Sequence, residues 1–107
     1  MAGPLQGIEV VELAGELCAY TGKLLVDLGA HVTLVEPVAG SPLRWYEPFA
    51  GDEPHPDRSL WWWHYQAGKT AVAADVDTAE GAARVRALIE AADVVVEAAG
   101  PGVLESL

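Results

Sequence analysis

The chain has a single cysteine, Cys18, so no internal disulfide can form, and its compartment reads as a reducing cytosol. It is poor in cations: six Lys and Arg stand against sixteen acids, a formal charge of −10. That balance excludes nucleic acid and anionic membrane as expected partners. No charged-then-apolar leader and no run of about 18 apolar residues is present, so no membrane span is expected. Several motifs are missing as well. After the first apolar run only Gly15 and Gly22 follow, which is not G-x-G-x-x-G. Gly68-Lys69-Thr70 lacks the upstream glycine of a phosphate loop, and no G-x-S-x-G elbow occurs. His31, His55 and His64 lack Cys or carboxylate neighbours at zinc spacing, so no metal is expected and these histidines read as surface or partly packed. No residue reads as a nucleophile.

The chain does contain the pattern of an α/β unit. Its 107 residues are one domain at most, and 51% hydrophobic residues supply a core. Ile8–Leu13 is a β-branched run that predicts a buried strand, broken by Ala14-Gly15. Glu16–Leu28 predicts a helix, with Leu17, Tyr20, Thr21, Leu24, Leu25 and Leu28 on one face and Gly29 as its left-handed stop. Val32–Val35 predicts a second strand. Residues 37–58 hold five prolines and read as an extended loop. A loop of that length in a small domain is commonly functional or covered by a partner.

Ser59 is placed to cap a short helix carrying Trp61, Trp62 and Trp63. Three such large side chains cannot all enter one core from one short element. The expected arrangement is one buried and two at the surface, or one against a partner. Ala71–Ala74 predicts a strand, and Asp77 or Thr78 caps a helix over Gly81–Ala92 that buries Ala83, Val85, Leu88 and Ile89 in part. Asp93–Glu97 predicts another buried strand. Gly100-Pro101-Gly102 opens a final helix, proline being tolerated in a first turn. The fold class is therefore α/β, Rossmann-like, with a mostly parallel open sheet and flanking helices. Val11-Glu12, Val35-Glu36 and Val96-Glu97 each end a strand with the same pair. Strand ends on that side are where open α/β sheets bind ligands. The plain alternative is that these glutamates face solvent or cap helices. Glu36 also stands where a ribose-binding acid of a nicotinamide site would, but the glycine loop that should accompany it is absent.

Six stretches in register carry a further resemblance. They are Pro4–Leu13, Gly22–Val32, Val35-Glu36-Pro37, Ser59-Leu60-Trp61 with Gly68-Lys69, Asp75–Gly81, and Ala92–Glu97 with Gly100–Leu104. Together they resemble the N-terminal segment of the family III CoA-transferases, a group that also holds acyl-CoA racemases. The resemblance implies an N-terminal Rossmann-like CoA-binding domain, residues 1–107, within a longer interlocked homo-oligomer. It implies a CoA thioester as substrate. The acyl group in that family travels on an aspartate that lies beyond the matching segment, so no residue here is a catalytic candidate. Carried over position by position, the CoA-binding candidates are Asp75, Val76 and Gly100. Departures accompany them: Ala98-Ala99 replaces an Asn-Phe pair, Thr70 replaces an arginine, and Ser106 stands where a basic residue is common. Each lost charged hydrogen bond is worth about 1.5–3 kcal/mol. The expectation is therefore a domain contributing to acyl-CoA binding and subunit assembly. Two other readings stay open: a non-catalytic structural subunit that binds no CoA, and a nicotinamide-nucleotide domain.

Overall fold

A computed structural model describes residues 3–107. Four strands, β1 (Glu9–Leu13), β2 (His31–Glu36), β3 (Thr70–Ala73) and β4 (Val94–Val96), form one sheet in the order β3-β2-β1-β4. Every pairing is parallel, with Val10 opposite both Val32 and Val94 and Thr33 opposite Thr70. Three helices accompany it: α1 (Glu16–Asp27), α2 (Leu60–Gln66) and α3 (Ala79–Glu90). The α/β, Rossmann-like class is therefore the one found.

Strand alternation divides the core. Val10 and Val32 pack with Ala30, Leu25 and Val26 on the α1 face. Leu34, further along β2 on that face, packs with Leu43 and Trp62. Val11 and Val35 point the other way and pack with Ala74 and Val85 of α3. Both faces carry apolar rows because a parallel sheet is covered twice.

The α1 terminus closes as a Schellman turn. Ala30 N–H donates to Leu25 O and Gly29 N–H to Val26 O, with Gly29 at φ +103°. The face of α1 differs from the expected one. Leu17, Tyr20, Leu24 and Leu28 are exposed, Leu17 by 83%, while the small residues Cys18, Ala19 and Gly22 are buried. The small residues lie where the helix passes closest to the sheet, while Leu25, a member of the expected face, and Val26 still pack on Val10 and Val32 near the helix end.

The segment 37–58 is irregular, with two short 3-10 turns, Pro42–Trp45 and Ala50–Asp52, and further turns closed by Gly40 N–H to Pro37 O and Arg58 N–H to His55 O. Ser59 Oγ accepts the Trp62 N–H at 3.1 Å, as a cap should. Of the three tryptophans Trp62 is buried, Trp61 half-buried and Trp63 exposed. Thr78 rather than Asp77 caps α3, its Oγ1 accepting from Gly81 N–H at 3.0 Å. Within α3 Val85 is buried and Leu88 and Ile89 partly so, but Ala83 is exposed. The final helix is only a 3-10 turn, Leu104–Ser106. No helix among the described residues is long and apolar enough to cross a membrane.

Candidate functional site

A cleft of about 570 Å³ opens at the C-terminal ends of the strands. Leu13 and Ala14 at the end of β1, and Val35 and Glu36 at the end of β2, form its back. Pro37, Val38 and Ala39 form one rim; Ala74–Asp77, after β3, form the other. Ala99, Val103 and Leu107 close the remaining side. The walls are apolar except for the carboxylates of Glu36, Asp75 and Asp77. An open parallel sheet leaves such a crevice wherever successive crossovers depart from its carboxyl edge.

Of the three CoA-binding candidates, Asp75 and Val76 line this cleft directly. Gly100 does not, though its neighbour Ala99 does; it sits exposed at φ +107° with open space where a Cβ would be. The Asp75 side chain is partly engaged. Its Oδ1 accepts from Asp77 N–H at 2.9 Å, and its carbonyl accepts from Thr78 N–H and from Thr78 Oγ1 at 2.8 Å. The turn is tight enough that a Cβ on Gly81 would lie 1.8 Å from Asp75 O. Gly81 is therefore what lets the first turn of α3 sit down on the cleft rim.

Beside this rim a more open recess of about 460 Å³ shares Val38, Ala74 and Asp75 with the cleft. Arg84 lines it, with one guanidinium N–H donating to Ala73 O at 3.2 Å.

Two of the three strand-end glutamates are buried rather than facing solvent. Glu36 accepts from Arg44 Nε at 3.0 Å and from Arg44 Nη2 at 2.8 Å, a two-pronged pair. Ser41 N–H adds a third donor at 3.2 Å. Burial raises the Glu36 carboxyl, but the Arg44 guanidinium and the Ser41 amide outweigh it and hold the group below its ordinary value. Arg44 also stacks over the Trp62 ring, 4.2 Å from its centroid. Glu36 is thus committed to holding the proline-rich loop against the sheet and is not free to accept ribose hydroxyls. Glu12 is fully buried on the α1 face, 2.7 Å from Lys69 Nζ, whose own side chain is 1% exposed. Lys69 donates as well to Ala19 O at 3.1 Å and to Gln66 Oε1. Burial pushes the Glu12 carboxyl up against the pull of Lys69, and pushes the Lys69 ammonium down. Glu97, the third, stays partly accessible and accepts from Ala99 N–H at 3.0 Å.

The repeated Val-Glu marks these glutamates in the sequence, but no local pattern points to their cationic partners. Arg44 and Lys69 sit eight and fifty-seven residues away, and only the chain path brings them in. Gly22 was also missed. A Cβ there would lie 1.8 Å from Glu12 Oε1, so α1 can pass over the buried carboxylate only because that position is bare.

The departures fall in different places. Ala99 is on the cleft wall, so replacing an aromatic there leaves room. Thr70 is at the opposite end of β3, where its Oγ1 lies 3.1 Å from His31 Nε2, and His31 Nδ1 lies 2.6 Å from Glu9 Oε2. An arginine lost at Thr70 is therefore not one lost from the cleft wall. Cys18 is buried and its thiol pushed up by burial, as befits a small apolar helix residue. No cluster of three or more His, Cys, Asp or Glu side chains suited to a metal occurs among the described residues.

Comparison with known proteins places this geometry. Residues 5–107 match the profile of CoA-transferase family III. Succinyl-CoA:(R)-benzylsuccinate CoA-transferase subunit BbsE of Thauera aromatica is 41% identical over 98 residues, covering 92% of this chain and 24% of that protein. The succinate–glutarate CoA-transferase of Agrobacterium fabrum is 42% identical over 98 residues, 88% of this chain and 24% of that protein. A crystal structure of a CaiB/BaiF family protein from Brucella suis superposes with a TM-score of 0.76 at 41% identity, covering 89% of this chain and 25% of that one. The chain thus spans about a quarter of the length of the curated relatives it matches.

Proposed function

This chain belongs to CoA-transferase family III, and from that membership we propose that its strand-end cleft binds part of a CoA ester while residues outside residues 1–107 carry the acyl group. The observation that bears the proposal is the apolar cleft at the carboxyl edge of the sheet, with Asp75 and Val76 on its rim. Apolar walls of this kind suit a nucleobase or a thioester arm, and exposed carboxylates suit hydroxyl donors on a sugar. Gly100 contributes an open backbone beside Ala99, where a ligand can approach closely.

Transfer chemistry needs a nucleophile or a proton carrier aimed into the cleft. The carboxylates available are Glu36, engaged by Arg44, Asp75, partly engaged by its own turn, and Asp77. Glu36 is already saturated by donors that hold the loop, and among the described residues Asp75 and Asp77 have no cationic partner. Residues 1–107 are accordingly proposed to bind and orient the ester, without the catalytic aspartate. The same reading makes the exposed row on α1 and the exposed tryptophans surfaces for the rest of the polypeptide or a second subunit, in a cytosolic homo-oligomer acting on an acyl-CoA. The nicotinamide reading loses its one supporting residue, since Glu36 is taken by Arg44.

Titration of CoA into the intact protein by calorimetry tests the proposal. Binding heat is expected with CoA and not with NADH. Ala99→Trp, which fills the cleft wall, is expected to raise the dissociation constant at least tenfold. Absence of CoA binding would leave the structural-subunit reading standing; unchanged affinity in Ala99→Trp would move the site elsewhere.

A further inference from the structure

Sixteen acids and six cations make an unpaired cation in this chain unusual. Four of the six lie within 3.2 Å of a carboxylate oxygen: Lys23 with Asp27, Arg44 with Glu36, Arg58 with Glu53, and Lys69 with Glu12. Arg84 and Arg86 have no carboxylate partner among the described residues. Of these two, only Arg84 borders the site: it is the one Lys or Arg lining either the cleft or the adjoining recess. Its position is fixed from the protein side. One guanidinium N–H is anchored to Ala73 O at the end of β3, and a guanidinium carries five donors. The remaining donors have no protein acceptor among the described residues and border a recess that runs into the cleft through Val38, Ala74 and Asp75.

We infer that Arg84 recognises a phosphate group of the bound CoA ester. The inference rests on the CoA reading above and adds to it the residue that takes the ligand's negative charge. The main cleft offers a phosphate no Lys or Arg, and its carboxylates without a cationic partner, Asp75 and Asp77, repel it. The recess is bordered by Asp75 and Glu80 too, but there Arg84 adds a planar, permanently charged fork suited to two-pronged phosphate binding, which the cleft does not offer. The apolar part of the ligand then lies in the cleft and its anionic part turns over the β3–α3 rim. Arg84 is exposed, so replacing it removes charge without opening a core.

The test compares dissociation constants of CoA and 3′-dephospho-CoA for the intact protein, Arg84→Gln, Arg84→Lys and Arg86→Gln, each at low and high salt. Arg84→Gln is expected to weaken CoA at least tenfold and to flatten the salt dependence of its binding. Arg84→Lys should recover part of the loss, and Arg86→Gln should stay within twofold. A loss confined to CoA assigns the 3′-phosphate, whereas an equal loss with dephospho-CoA assigns the diphosphate. Arg84→Gln within twofold of the parent would overturn the inference. So would a loss that leaves the salt dependence unchanged, since that is a structural tether at Ala73 O and no more. If neither ligand binds the parent protein, the CoA reading falls first and this one with it.

Discussion

Gly22 and Glu36 show how much a single position settles here. Glu12, fully buried, lies under a helix whose passing residue has no side chain. Gly22→Ala puts a methyl 1.8 Å from Glu12 Oε1 and 2.7 Å from Lys69 Nζ, displacing both members of a buried pair. Overpacking alone costs about 1–3 kcal/mol, and breaking a buried pair about 3–5 kcal/mol. Gly22→Ala should therefore lower the urea midpoint of the intact protein far more than the Gly→Ala exchange improves helix propensity. Glu36 gives a prediction in pH. Its folded carboxyl is held below the ordinary value of 4.5, so its ionised form adds stability above that pH. The contribution is lost as pH falls through the lower folded value. Glu36→Gln should cost about 2 kcal/mol at pH 7, the scale of a charged hydrogen bond. In urea unfolding as a function of pH, the gap between parent and variant should close on the acid side of pH 4.5. A gap of constant size from pH 7 to pH 3 would mean that the Arg44 pair does not depend on ionisation.

At the scale of elements, caps and turns were the most legible features. Ser59, Thr78 and Gly29 each do what their residue type does at a helix end, because these bonds are local in sequence. Thr78→Ala removes the acceptor for Gly81 N–H and should lower stability by about 1 kcal/mol. The loss should appear in thermal unfolding together with weaker CoA binding, since the same turn forms the cleft rim. A stability loss with unchanged CoA affinity would separate the cap from the site. The orientation of α1 was not legible. Its periodic row of Leu17, Tyr20, Leu24 and Leu28 has the spacing of a core-facing stripe, yet the opposite face packs on the sheet. The buried face carries Cys18, Ala19 and Gly22, and at Gly22 a side chain would collide with the Glu12–Lys69 pair. That pair depends on Lys69 arriving from the connection between α2 and β3, which no local pattern reveals. The site divides in the same way. Asp75 and Val76 come from the family resemblance, position by position, whereas Arg84, nine residues beyond Asp75 and inside α3, needs the three-dimensional rim to connect it with them.

At the scale of the whole molecule, large apolar side chains stay exposed on two neighbouring helices and in the long loop. Leu17, Tyr20, Leu24 and Leu28 on α1, with Leu60 and Trp63 on α2 and Trp45 in the long loop, are all more than a third exposed. The cleft adds Val38, 68% exposed, and Val76. Exposed apolar residues scattered singly need no cover, but a row on one helix beside a second helix with the same character forms a patch. The relatives are about four times as long as this chain, and the proposed function puts polypeptide outside residues 1–107 over this patch. Residues 1–107 studied alone should therefore self-associate in sedimentation equilibrium, and the pair Leu17→Gln with Leu24→Gln should shift them toward monomer. Both positions point away from the sheet, so the substitutions should leave the unfolding midpoint of the monomer nearly unchanged. In the intact protein the same pair should instead lower the midpoint, because there it would expose polar groups to a packed partner surface. A monomeric 1–107, or an intact protein indifferent to the double substitution, would mean that this face is solvated as it stands and that the covering polypeptide packs elsewhere.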